Sequence, residues 1–235
     1  MDITELGPLA PRIIFEDTHL IILSKPAGLL SQGDSSGDAN LVDYLRKYLG
    51  RNYVGLVHRL DRNTSGIMVV AKRTKSAQRL TDSLQKGKLK RSYLAFVEGV
   101  PPSSQILENY LLKNEQTNEV RVVSKETPGA KASRLEFKKL AQAQFHSNDV
   151  ALLYVTLETG RGHQIRVQCS AAGYPLLGDQ KYKAQIREPG RPALHSYSLE
   201  VPHPMSGEVL SYKDPLPLEL EKIIPNYNSQ NKDWP

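Results

Sequence analysis

Apolar residues recur at two periods along this chain, and segments of each period are separated by glycine- and proline-marked breaks. Ile13-Ile14-Phe15 and His19 to Leu23 have strand character and are joined by Glu16-Asp17-Thr18, a hairpin-like turn. Lys25-Pro26-Ala27-Gly28 ends that pattern, and Ser31 to Asp38 is a Gly/Ser/Asp loop that reads first as a solvated connection and otherwise as a loop facing a ligand. Asn40 is a good N-cap for a helix with Leu41, Tyr44, Leu45, Tyr48 and Leu49 on its apolar face and Gly50 at its stop. Tyr53 to Val57 is a strand candidate leading into the polar stretch His58-Arg59-Leu60-Asp61-Arg62-Asn63-Thr64-Ser65-Gly66. The apolar run Ile67 to Ala71 that follows, ending at Lys72, predicts a buried strand. Thr74 is expected to cap a second helix, with Ala77, Leu80 and Leu84 on one face and Gly87 beyond its end.

The second half is mostly period two. Strands are expected at Ser92 to Val97, Ile106 to Leu112, Glu119 to Val123, Ala132 to Leu140, Val150 to Leu157 and Ala193 to Val201. His163 to Ala172 has helical spacing ended by Gly173, with Ile165, Cys169 and Ala172 facing inward while His163, Arg166 and Ser170 point elsewhere. Leu216 to Ile224 is expected to form a last helix, and the polar segment 226–235 is expected to fray. Long meandering strands with few helices predict an α+β (mixed α/β) chain built on one long, largely antiparallel sheet, rather than a parallel βαβ array. No internal repeat or long linker divides the sequence. The expectation is therefore a single domain over 1–235, with its core at about 13–215.

Composition narrows the class. At 235 residues the chain can bury one good core or two small ones. No apolar run approaches the roughly 20 residues that span a bilayer, and Met1-Asp2-Ile3-Thr4-Glu5 lacks the regions of a signal peptide, so no membrane partner and a cytoplasmic location are expected. The single cysteine, Cys169, excludes an internal disulfide, and no Cys/His cluster has zinc-site spacing. A net charge of +6 suits a polyanionic partner, because each phosphate neutralised by Lys or Arg releases counterions.

Two polar clusters carry candidate chemistry. In the first, Asp61 stands between Arg59 and Arg62. That is either a loop salt bridge, worth under about 1 kcal/mol when exposed, or a nucleophile or general base kept ionised by a cation. The second cluster, Gly160 to Arg166, follows about a hundred residues later. Neither contains a Walker lysine motif, a dinucleotide-binding glycine fingerprint or a nucleophile elbow, so ATP, NAD and serine-hydrolase chemistry lack support. A retaining glycosidase would need a second carboxylate about 5 Å away, for which Asp179 and Glu158 are nominal candidates. The basic run Lys88-Leu89-Lys90-Arg91 is either a solvated face or a phosphate-binding edge.

Taken together, His-Arg-Leu-Asp-x-x-Thr-Ser-Gly at 58–66, Lys-Pro-Ala-Gly at 25–28, Arg-x-Tyr-Leu-Ala at 91–95 and Thr-Gly-Arg-x-His-Gln-Ile-Arg at 159–166 resemble the RluA-type RNA pseudouridine synthases. The similarity runs from about Ile13 to Pro215. His58 and the His-Gln-Ile-Arg form favour this branch over the RsuA-type branch.

The resemblance implies a pseudouridine-synthase fold with an active-site cleft across the sheet. It implies isomerisation of a uridine within RNA, tRNA or rRNA, with no metal, nucleotide or redox cofactor. By match to the family, Asp61 is the catalytic aspartate, acting by addition to the ribose C1′ or through a glycal. Arg166 matches the arginine that pairs with it, and Tyr93 the tyrosine that lies against the base and is a candidate for removing the C5 proton. On the substrate side the match implies Arg59 beside or within the RNA, Ile165 and Leu194 lining the uracil pocket, and His58 and Thr64 ordering the loop. His163 is read as a loop-ordering hydrogen-bonder.

Gly162 departs from the family, which usually has Thr there. A motif beginning near Ile13 also leaves no room in front for the small S4 domain of many relatives, so the catalytic domain itself, or a partner, is expected to grip RNA. Two other readings stand beside this one: a catalytically silent RNA-binding or RNA-chaperone module, and an RNA or nucleoside glycosidase, which would release free uracil.

Overall fold

A computed structural model describes residues 3–225. The expected frayed tail lies outside the described residues. In chain order the strands and helices are β1 (Arg12–Glu16), β2 (Leu20–Lys25), α1 (Leu41–Leu49), β3 (Gly55–Leu56), β4 (Ser65–Ala71), α2 (Thr74–Gln85), β5 (Lys90–Glu98), β6 (Ser104–Asn114), β7 (Glu119–Val123), β8 (Lys131–Phe145), β9 (Asn148–Leu157), α3 (Gln164–Ala171), β10 (Leu194–Pro202), β11 (Val209–Lys213) and α4 (Leu218–Glu221). The class is α+β, with largely antiparallel sheet and few helices. No described helix is long and apolar enough to cross a membrane.

The chain forms two compact units, Met1–Arg91 with Ser196–Asp214, and Ser92–His195 with Pro215–Pro235. In the first, strands run in the order β1-β2-β4-β10, with β3 against β4 and β11 against β10. All seven positions of β4 are buried, which is why its sequence from Ile67 to Ala71 is a continuous apolar run instead of an alternating one. Its side chains join Leu20, Ile22, Leu80 and Leu199 in a core closed by α2. The expected cap of α1 is present: the Asn40 side chain accepts from the Asp43 N–H, and Gly50 in the left-handed region closes the other end. For α2 the cap position is Arg73, which makes no side-chain cap bond, and Thr74 is already helical. The strand expected over Tyr53 to Val57 shrinks to two residues.

The second unit has strand order β5-β9-β8-β6-β7, antiparallel throughout. The β8–β9 hairpin is longer than its apolar pattern suggests, because its turn places His146 and Ser147, with no glycine, at positive φ. The sequence reading gives α3 one inward face, but Gln164 to Cys169 are all buried, Arg166 included. The last helix is a single turn.

Candidate active site

Asp61 lies on the loop between β3 and β4, half-buried, and its main chain is held on both sides. On one side the Ser31 hydroxyl donates to the Leu60 carbonyl (2.7 Å) and accepts from the Leu60 N–H (3.1 Å). On the other side the Arg62 carbonyl accepts from the Gly28 N–H (2.8 Å) and from Lys25 Nζ (3.1 Å). Lys25 is fully buried, and the same ammonium donates to the carbonyls of Pro26 and Leu29 at 2.9 and 2.8 Å. Lys-Pro-Ala-Gly is therefore a clamp on the Asp61 loop. Ser31, expected in a solvated connection, is a buried part of that clamp. The Thr64 N–H closes the turn on the Asp61 carbonyl at 3.0 Å, and Thr64 itself is buried.

The flanking arginines do different things. Arg62 pairs with Asp38 at 2.7 Å and bonds the Gly28 carbonyl, so this guanidinium is committed to the loop that begins at Ser31. Arg59 is exposed. His58 is buried, and its Nε2 accepts from the Val69 N–H of β4 at 3.2 Å, which puts the ring proton on Nδ1. Burial, and then the charge of Arg91, push its pKa down to about 3, so the ring is neutral. Arg91 is itself buried, so the basic run ends inside the protein and is not a wholly solvated face. The close approach of β4 to the Ser196 main chain of β10 requires Gly66: at φ +116°, an added Cβ would lie 2.2 Å from the Ser196 carbonyl oxygen.

In the second unit, Tyr93 is buried on β5 opposite Val155 of β9. Ahead of α3, the Gln164 side chain knots the turn. Its carbonyl accepts from the Thr159 hydroxyl (2.8 Å) and the Arg161 N–H (3.0 Å), while its amide donates to the Arg134 carbonyl (3.1 Å). His163 takes the left-handed conformation at φ 52°, and its Nδ1 lies 2.7 Å from the Tyr182 hydroxyl. Gly162 has no positive φ, and a Cβ there would meet nothing within 4 Å, so the threonine usual in the family would fit. Ile165 and Leu194 are each 4% exposed.

Arg166 is gripped by a carboxylate that the sequence reading weighed only as a glycosidase candidate. Its Nε donates to one Asp179 oxygen at 2.6 Å and an Nη donates to the other at 2.8 Å, in a side-on fork. Its guanidinium lies 5.0 Å from the centre of the Tyr182 ring. The signal available in sequence was Asp179 in a Leu-Leu-Gly-Asp turn after a helix bearing one arginine. Among the described residues no three His, Cys, Asp or Glu side chains are grouped so as to hold a metal ion.

Comparison with known proteins places these residues in one family. A model of the RNA pseudouridylate synthase family matches residues 19–171, which include Asp61, Tyr93 and Arg166. The ribosomal large subunit pseudouridine synthase C of Buchnera aphidicola is 34% identical over 92% of this chain and 70% of its own length. The uncharacterized RNA pseudouridine synthase YhcT of Bacillus subtilis is 33% identical over 97% of this chain and 75% of its own. Among solved structures, human RNA pseudouridylate synthase domain containing 1 superposes with a TM-score of 0.76 at 22% identity, covering 92% of this chain and 87% of that one, which is a likeness of fold. The chain belongs to the RNA pseudouridylate synthase family, in its RluA-type branch, and is by that membership an isomerase, an RNA pseudouridine synthase.

Proposed function

We propose that this enzyme isomerises uridine to pseudouridine in large-subunit ribosomal RNA, with Asp61 as the catalytic aspartate. The observation that carries the reading is the clamp on the Asp61 loop: Ser31, Lys25 and Gly28 hold the peptides on either side of this one carboxylate. Rigid backbone on both flanks suits a group that must meet a single reacting carbon. The ribosomal target is drawn from relatives named as ribosomal large subunit pseudouridine synthases.

The reaction breaks the N1–C1′ bond, turns the uracil and joins C5 to C1′; C5 gives up its proton and the freed N1 takes one up, so the product is an isomer and no redox partner is needed. Asp61 acts on the ribose, either by adding to C1′ or by way of a glycal. Tyr93 lies against the base and is the candidate acceptor of the C5 proton, and Arg166 supplies the cation that balances the carboxylate. The uridine is flipped from its stack, at a cost of a few kcal/mol offset by base stacking and phosphate contacts. Exposed Arg59 suits insertion where that base leaves.

Asp61→Asn tests the chemistry in a tritium-release assay on C5-labelled RNA. Loss of at least about 1,000-fold in rate at unchanged RNA binding is expected, and turnover near wild type refutes the role. Pseudouridine mapping of total RNA with and without the gene tests the target. A site lost from large-subunit rRNA supports the assignment, and a site lost only from tRNA overturns it.

A further inference from the structure

We propose that the cleft between the 31–39 loop and α1 receives the unpaired base of a nucleotide next to the target uridine. The inference rests on the reading of Asp61 as the catalytic aspartate. The cleft has a volume of about 430 Å³, within the range of about 300–1,000 Å³ common for ligand sites. Its floor is apolar: Val42 of α1, Val54 just before β3 and Leu56 within it line the space and are only partly buried. Its walls carry hydrogen-bonding groups that the fold leaves uncommitted. Arg46 Nη1 donates to Asp43 at 3.0 Å and Nε to the Asn52 carbonyl at 2.9 Å, which fixes the guanidinium plane and leaves Nη2 over. Asp43 is itself placed, because its other oxygen accepts from the Asn40 amide at 2.8 Å. Gln32 is exposed on the loop side, and among the described residues its amide, both donor and acceptor, makes no hydrogen bond. Gly33 adds no side chain to that wall, where a Cβ would already come within 3.3 Å of the Asn40 amide. Apolar side chains below, with a fixed guanidinium and a free amide at the edge, suit a nucleobase, whose face packs and whose edge takes donors and acceptors.

The cleft adjoins the Asp61 loop. Gln32 follows Ser31, whose hydroxyl is bonded to the carbonyl and the N–H of Leu60, the residue before Asp61. On the far limb of the same loop, Asp38 pairs with Arg62, the residue after Asp61, at 2.7 Å. The base of the loop is closed where the Leu41 N–H donates to the Leu30 carbonyl at 2.8 Å. A base held in the cleft is therefore close along the RNA strand to a uridine held at Asp61. Once that uridine is flipped, its neighbours lose a stacking partner, and the cleft supplies a replacement. Solvation accounts for the composition of the loop, but not for its two ties to the Asp61 loop beside an apolar floor.

The test uses the full chain and total RNA from a strain lacking the gene. Because Cys169 is buried, a Gln32→Cys variant offers one accessible thiol, which is loaded with an azidophenacyl group and irradiated with the RNA. Primer extension should place the crosslink within about three nucleotides of the uridine that pseudouridine mapping assigns to this enzyme. No crosslink, or crosslinks only at greater distance, overturns the inference. The kinetic arm reads tritium release from the same RNA labelled at uridine C5, with enzyme in excess. Gln32→Ala and Arg46→Gln should each raise the enzyme concentration for half-maximal rate by about 10-fold and leave the maximal rate within about 3-fold. The Arg46–Asp43 pair is exposed, so its loss leaves the fold intact.

Lys47→Gln removes a charge from an exposed position of α1 outside the cleft, and should move half-saturation by less than about 3-fold. Equal effects of Lys47→Gln and Arg46→Gln would show general attraction of RNA to a basic helix and would overturn the inference, as would wild-type half-saturation in both cleft variants. Turnover near wild type by Asp61→Asn removes the reading of Asp61 and this inference with it. An inactive Asp61→Asn beside unaffected cleft variants removes only the inference.

Discussion

Acid should destabilise this protein through His58 before its carboxylates respond. The imidazole is buried, accepts a hydrogen bond from the Val69 N–H, and has its pKa pushed from 6.5 down to about 3 by burial and then by Arg91. In the unfolded chain it titrates near 6.5. Between those values the unfolded state holds one proton more than the folded state, so stability rises with pH across the window. The contribution is fully present above about pH 6.5 and is lost as pH falls toward 3, at about 1.4 kcal/mol per pH unit. From pH 6.5 to about pH 5 the loss is about 2 kcal/mol.

His58→Gln offers Val69 a carbonyl oxygen and cannot take up a proton. Urea unfolding followed by far-ultraviolet circular dichroism at about pH 5, 6.5 and 8 gives the stabilities of both proteins. Wild type should lose about 2 kcal/mol more than the variant between pH 6.5 and 5, and the two should run in parallel above 6.5. Parallel behaviour across the whole range would show that His58 is not held neutral by burial, and the account of the loop that precedes Asp61 would be wrong.

Two further outcomes follow from close packing. Gly66→Ala forces a Cβ onto the Ser196 main chain at a φ of +116°, and should cost more than about 3 kcal/mol in urea unfolding; a cost under about 1 kcal/mol would mean the strands can separate there. Cys169 is buried and its thiol is pushed up to about 12. The native protein should leave Ellman's reagent unreacted at about pH 8 and release one thiol equivalent in guanidinium, whereas rapid native reaction would refute the burial.

What could be read from sequence was whatever short stretches of chain decide for themselves. The α1 helix was legible to the residue because Asn40 and Gly50 are local cap signals, and β4 was legible from Ile67 on because a buried strand needs an apolar run, while its first two residues, Ser65 and Gly66, read as loop. The motifs around Asp61, Tyr93 and Arg166 were legible as a family pattern, which the comparisons support. The turn between β8 and β9 was not, since His146 and Ser147 reach positive φ without the glycine that normally marks it. The strand β11 was missed because only alternate residues of it are even partly buried, leaving no apolar run to find.

Partnerships were decided by tertiary structure alone. Asp61 sits between two arginines in sequence, yet Arg62 pairs with Asp38, and Ser31 and Lys25 reach across the loop to fix its peptides. Arg166 takes Asp179, thirteen positions on, because the chain turns at Gly178 and brings that carboxylate back against the helix. Helix periods and caps are short-range properties that the residues themselves dictate. Which donor meets which acceptor depends on the path of the whole chain, and that path is set by burying apolar strands such as β4, where hydrophobic area outweighs any single polar contact.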